Sequence, residues 1–179
     1  MNAEINFSRT DILEAGKRTI LEEAEAIHKI SSFLDDDFID SVTAILEMKG
    51  RVIVTGIGKS AVIANKMVAT FNSTGTSAMF MHAADAIHGD LGMIRKEDVI
   101  ICLSKSGNTP EIKVLLPLLR SRGNILIGIT GDMGSYLAEQ ADLVLNTTVT
   151  KEACPNNLAP TSSTTAQLVM GDALAVALL

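Results

Sequence analysis

The sequence predicts an α/β fold: a doubly wound parallel sheet with helices on both faces. Two observations predict it. Five short apolar runs, at 52–55, 77–80, 99–103, 125–129 and 143–145, have the length of strands and lack the polar alternation of a half-solvated sheet. Helical stretches at 61–71, 111–120 and 135–140 alternate with them, and strands separated by helices pair in parallel.

Helices precede and follow this core. Residues 10–34 read as one long amphipathic helix, with Leu13, Ile20, Ala24, Ile27, Ile30 and Leu34 recurring on one side. A second helix is expected over 37–48, ended by Gly50 as a left-handed cap. The last segment, 162–179, opens on hydroxyl residues and continues AQLVMGDALAVALL. A helix apolar nearly all round must be buried, so a second subunit or residues beyond Leu179 are expected to cover it. The run stops without a C-cap, so the chain is expected to continue further. The 179 residues read as a single domain, with helices at 8–49 packing on it and at a subunit interface.

Composition narrows the function. Aromatic residues make up 3% of the chain and Trp is absent, which leaves no stacking platform for single-stranded nucleic acid. The net charge of −6 likewise argues against a phosphate-backbone partner. A small anion remains compatible, provided its site is locally positive or rich in backbone N–H groups. Cys102 and Cys154 have no metal-type spacing and read as buried, reduced thiols suited to the cytoplasm. The charged N-terminus has no signal-peptide core, and no uncharged apolar run reaches the ~20 residues that span a bilayer.

Four segments carry chemistry. Thr55-Gly56-Ile57-Gly58-Lys59-Ser60 follows the first strand, where Gly56 and Gly58 permit a tight turn and the next helix offers free N–H groups. A Walker loop would need glycine in place of Ile53. A dinucleotide fingerprint would need an acid where Phe80-Met81-His82 stands. A purely geometric turn explains the glycines but not Lys59, whose ammonium opposes the helix dipole unless an anion joins it. The second segment is Ser104-Lys105-Ser106-Gly107-Asn108-Thr109-Pro110-Glu111, with Thr109 placed as N-cap and Pro110 as first helical residue. Ser104, Ser106, Gly107 and Thr109 suit a phosphate monoester. The loop could also be an ordinary capped turn, but it lies at the carboxyl end of a parallel strand, where open α/β sheets bind ligands. The third segment holds His82 and His88, whose spacing of six does not suit two metal ligands on one helix face, so no metal is expected. His82 reads equally well as structural, while Gly89 places His88 in a loop. The fourth, Lys151-Glu152-Ala153-Cys154-Pro155, opens onto the same edge of the sheet, and Glu152 reads either as a solvated carboxylate or as a proton-transfer group.

The loop from Ser104 to Glu111 resembles the phosphosugar loop of the sugar isomerase (SIS) domain family. GIGKS, HAADAIHGDLGM, KEACP and LAPTSSTTAQLVMGDALAVALL are similar, more narrowly, to the arabinose 5-phosphate isomerases of that family. The resemblance implies a flavodoxin-like three-layer sandwich on a five-stranded parallel sheet, assembled as a homotetramer. It implies aldose–ketose isomerisation of ribulose 5-phosphate and arabinose 5-phosphate, without a cofactor, for the octulosonate of lipopolysaccharide or capsule; the alternatives are a non-catalytic module that senses a sugar phosphate or nucleotide sugar, and a hexulose-phosphate isomerase. It places catalysis on Lys59, Glu111 and Glu152, and substrate contacts near Gly75, Thr76, His82 and His88. The loops themselves add Gly58, Ser60, Ser104, Ser106, Gly107 and Thr109 as expected phosphate contacts, and His88 as a group that assists ring opening or hydrogen-bonds a sugar hydroxyl. A further family histidine lies past the last helix, beyond Leu179, as do the paired CBS domains of longer members. Of the two carboxylates, Glu152 is the expected base and Glu111 the second choice.

Overall fold

In the computed structural model, which describes residues 8–179, the five expected strands form one sheet. They are β1 (Val52–Gly56), β2 (Ala78–His82), β3 (Val99–Ser104), β4 (Leu126–Thr130) and β5 (Leu143–Asn146). All pairs are parallel, and the order is β2-β1-β3-β4-β5. The helices are α1 (Arg9–Ile30), α2 (Asp36–Glu47), α3 (Lys59–Ser73), α4 (Ala83–Ile87), α5 (Pro110–Arg120), α6 (Tyr136–Gln140) and α7 (Ser162–Ala177).

Alternate side chains of each central strand feed two separate cores, which is why these strands are apolar throughout. Val54, Ile101, Leu103 and Ile129 pack with Met67 and Phe71 of α3 and Leu174 of α7. Ile53, Ile100, Cys102 and Leu126 pack with Ile112 and Leu115 of α5 and Leu137 of α6. The result is three layers, with α2, α3 and α7 on one face and α4, α5 and α6 on the other.

Several expectations change. Gly50 is not a left-handed cap: α2 ends at Glu47 with Met48 as its C-cap, and Gly50 has no positive φ. The sequence alone asks for another subunit or further chain to cover the apolar α7, yet α1 and α3 of the same chain cover it. Gly171 permits the close approach of α3, because a Cβ there would meet the Met67 side chain at 2.5 Å. Conversely, α1 buries only Ile30, and it presents Ile12, Leu13, Ile20 and Leu21 to solvent. The expected single helix over 10–34 stops at Ile30 and tightens into a 3₁₀ turn at Ser31–Phe33. Cys102 is buried as expected, and burial pushes its thiol up to about 12. Cys154 is only partly buried. Backbone N–H groups of Ala159, Leu158 and Asn156, which a loop can aim at sulfur, hold its thiol below the ordinary value. Among the described residues no helix is long and apolar enough to cross a membrane.

Candidate functional site

The strand order reverses between β1 and β3: chain connections leave toward β2 on one side and toward β4 on the other. At such a switch point the following loops part and leave a crevice above the carboxyl ends of the strands. Here the parted loops are the GIGKS turn and the serine loop, and a cleft of about 200 Å³ opens between them.

The GIGKS turn is built for its task by Gly58, whose φ of 60° and ψ of −129° fit glycine alone. It makes Lys59 the first residue of α3, exposed on the rim of the cleft, with Ser60 below it. Among the described residues no side chain caps α3; Ala61 N turns back to Ile57 O at 3.4 Å, which leaves the Lys59 and Ser60 N–H groups for an anion.

The serine loop is held more tightly. Gly107 N donates to Ser104 O at 3.2 Å and to Ser104 Oγ at 3.1 Å, closing the turn. Gly107 has φ of 60°, and a Cβ on it would fall 2.0 Å from Ser135 Oγ. The loop therefore requires glycine twice over, once for conformation and once for space. Tyr136 N donates to Asn108 Oδ1 at 3.2 Å, tying the loop to the start of α6. Thr109 is the N-cap residue of α5 and Pro110 its first residue, as expected, but the Thr109 hydroxyl does not cap. Its Oγ1 is buried without a partner among the described residues, free for a ligand in the cleft it lines.

Glu152 stands behind this wall, with its side chain 1% exposed. Lys105 Nζ donates to its Oε1 at 2.6 Å and Ser163 Oγ to the same atom at 2.5 Å. Thr161 N and Ser163 N donate to its Oε2 at 2.9 and 3.1 Å. Burial alone would raise its pKa, but the hydrogen bonds from Lys105, Ser163 and Thr161 outweigh it and hold the carboxyl at about 2. Such a group stays ionised, gives its lone pairs to fixed donors and is a poor proton acceptor. The reading of Glu152 as a solvated loop carboxylate is corrected by its burial. Glu111 is the second residue of α5, half-buried, with no hydrogen-bond or salt-bridge partner among the described residues.

One chain therefore brings together Gly58, Lys59, Ser60, Ser104, Ser106, Gly107 and Thr109. His82 ends β2 in register with Gly56, at the same edge of the sheet, its Nδ1 3.9 Å from Asp85. His88 is exposed at the C-cap of α4. Gly75 and Thr76 lie elsewhere: they precede β2 and so occupy the amino edge of the sheet, roughly 15 Å from the carboxyl edge across a five-residue strand. They do not join the cleft of their own chain. Sequence reasoning missed four polar cleft residues, Lys105, Ser163, Thr164 and Gln167.

A cleft of hydroxyls, helix N–H groups and lysines at the switch point of a doubly wound sheet defines an α/β domain with a cleft suited to an anion. The SIS domain model matches residues 45–177, and the chain belongs to that family. Arabinose 5-phosphate isomerase KdsD of Pseudomonas aeruginosa is 50% identical over 176 residues, 98% of this chain and 54% of the relative. A probable arabinose 5-phosphate isomerase of Haemophilus influenzae is 45% identical over 96% of this chain and 51% of its own length. The chain thus spans about half the length of these relatives. Among solved structures, an Escherichia coli CFT073 protein in complex with arabinose 5-phosphate superposes with a TM-score of 0.92. It is 41% identical, over 96% of this chain and 92% of the other. The NanR protein of Vibrio vulnificus complexed with ManNAc-6P superposes at 0.79 with 15% identity, over 91% of this chain and 61% of that one, a likeness of fold.

Proposed function

We propose that the cleft is the site of an aldose–ketose isomerase interconverting D-ribulose 5-phosphate and D-arabinose 5-phosphate. The observation that carries this is the convergence of Lys59, Ser60, Ser104, Ser106 and Thr109 on one cleft at the switch point. The names of the half-length relatives and the arabinose 5-phosphate bound by the E. coli protein support the choice of sugar.

Ser104, Ser106, Thr109 and the free N–H groups of α3 and α5 hold the phosphate without burying a countercharge. In the ketose-to-aldose direction a base takes a proton from C1, and its electron pair enters a C1–C2 enediolate. The proton returns at C2, while the O1 proton passes to O2. Lys59 neutralises the developing oxyanion, and His88 hydrogen-bonds a sugar hydroxyl or assists ring opening. Of the two carboxylates, Glu111 has the free lone pairs that a base needs. Glu152 fixes Lys105 and the start of α7.

The working form is a homo-oligomer, which the tetramer of the family resemblance extends. Ile20 is 70% and Leu21 68% exposed on α1, and the substrate contacts that the family resemblance implies for Gly75 and Thr76 would have to come from a second copy. The place of action is the cytoplasm, where sugar phosphates are made and used, and the product supplies octulosonate for lipopolysaccharide or capsule. Turnover assays of the full-length protein on ribulose 5-phosphate and on a 3-hexulose 6-phosphate test the reading. Preference for the pentulose supports it, and preference for the hexulose moves the enzyme to another isomerase class.

A further inference from the structure

Helix α7 is apolar along most of its length, but Gln167 interrupts it on the side facing α3. Gln167 is 1% exposed, as deeply buried as Ala166 and Met170 beside it. Its Oε1 accepts a hydrogen bond from Ser60 Oγ at 3.1 Å. Its Nε2 is buried and has no partner among the described residues. Turning the amide end for end changes which atom is orphaned but not the count, because the single Ser60 hydroxyl can satisfy only one end. A buried amide that gives up hydration without a return is costly, and each such group in a folded protein calls for an explanation.

The explanation lies in where the amide sits. Gln167 lines the cleft directly, together with Ser60, Ser104, Ser106 and Thr109. Thr109 Oγ1 is a second buried polar atom on the same cleft without a partner. Two orphaned groups lining one cleft, one from the serine loop and one from α7, are complementary to a ligand that accepts hydrogen bonds from both. Lys59 and Lys105 on the rim favour an anion, so the end of the amide turned toward the ligand is the donor.

We infer that Gln167 is a ligand-binding residue whose Nε2 donates to an oxygen of the phosphate held in the β1/β3 cleft, while its Oε1 orients Ser60. The assignment deepens the proposed function and rests on its phosphosugar reading. Gln167 has no part in proton transfer, and its loss acts on binding.

The test uses the full-length protein, titrated calorimetrically with inorganic phosphate and assayed on ribulose 5-phosphate. Gln167→Met keeps the volume and removes the amide. Because it replaces an orphaned polar group with an apolar one, the melting temperature should hold or rise. Phosphate affinity should fall about tenfold, KM should rise by a similar factor, and kcat should change less than about threefold. Gln167→Glu keeps the shape and the acceptor for Ser60 but puts an oxygen where the donor was. It should lose more than about tenfold in phosphate affinity, and it decides the matter if the methionine variant does not fold. Wild-type phosphate affinity in either folded variant would overturn the inference. If wild-type protein binds phosphate but turns over no sugar, the isomerase reading fails while the calorimetric effect of Gln167 still stands or falls by itself.

Discussion

Lys105 Nζ lies 2.6 Å from Glu152 Oε1, joining the serine loop to the loop after β5 through a carboxylate buried to 1% exposure. The same carboxylate takes N–H and O–H donors from Thr161 and Ser163 at the start of α7. Three chain segments that shape the cleft thus meet at one buried charge, and the contact has consequences for stability as well as for catalysis.

The first concerns pH. The carboxyl of Glu152 falls from an ordinary 4.5 to about 2 on folding, so the unfolded chain binds this proton first. Its contribution to stability is complete above pH 4.5 and fades as pH drops toward 2. Melting temperatures between about pH 3 and 6 should show a steep acid loss in wild type and a shallower one in Glu152→Gln. At pH 7 the variant should be less stable by about 2 kcal/mol, since Lys105 and the Ser163 and Thr161 N–H groups lose a charged acceptor. Equal acid slopes in the two proteins would contradict the clamp.

Gly107→Ala tests the serine loop. The substitution meets both a positive φ and the Ser135 side chain. It should cost about 2 kcal/mol or more and raise KM, because the phosphate donors move with the loop. Thermal unfolding and steady-state kinetics of one preparation measure both. The same change at Gly58, where a Cβ meets nothing, should cost stability through conformation alone.

The fold was legible because periodicity records it. Each strand boundary lies within two residues of its apolar run, since a strand buried on both faces leaves a continuous signal. Helix α4 left none: Ala83–Ile87 starts directly after His82, the last residue of β2, with no turn or capping residue between to mark it, whereas α6, equally short, is announced by Ser135. In the site, Gly58, Gly107 and Thr109 were legible because turn chemistry is local. Glu152 was visible as a residue but not as a clamp, because its donors stand nine and eleven residues onward, in the start of α7. Gln167 was illegible for a related reason. One amide in a run of apolar residues barely disturbs a pattern, and its partner Ser60 is 107 residues away. Gly75 and Thr76 were assigned by likeness alone, and topology sends them to the far edge of the sheet.

The exposed face of α1 predicts assembly. Ile12 is 63% and Ile20 70% exposed, more contiguous apolar surface than a lone helix end keeps in water. Light scattering at micromolar concentration should give at least a dimer, and Ile20→Glu with Leu21→Glu should shift it toward monomer with the melting transition retained. A wild-type monomer would contradict this.

Lys59→Met should lower kcat at least ~10²-fold by removing charge stabilisation from the enediolate, while phosphate affinity falls only severalfold. Calorimetry beside kinetics separates the two. A fall in affinity equal to the fall in kcat/KM, at unchanged kcat, would make Lys59 a phosphate ligand instead.

The most direct test follows ribulose 5-phosphate by NMR in D₂O with full-length wild type, Glu111→Gln and Glu152→Gln. The account predicts arabinose 5-phosphate carrying deuterium at C2 and wash-out of one C1 proton of ribulose 5-phosphate in wild type. Both should be lost at least ~10²-fold in Glu111→Gln and reduced less in Glu152→Gln. Wild-type rates in Glu111→Gln with collapse in a folded Glu152→Gln would return the base to Glu152. Tight binding of ribulose 5-phosphate by wild type, with neither product nor exchange, would contradict the isomerase itself.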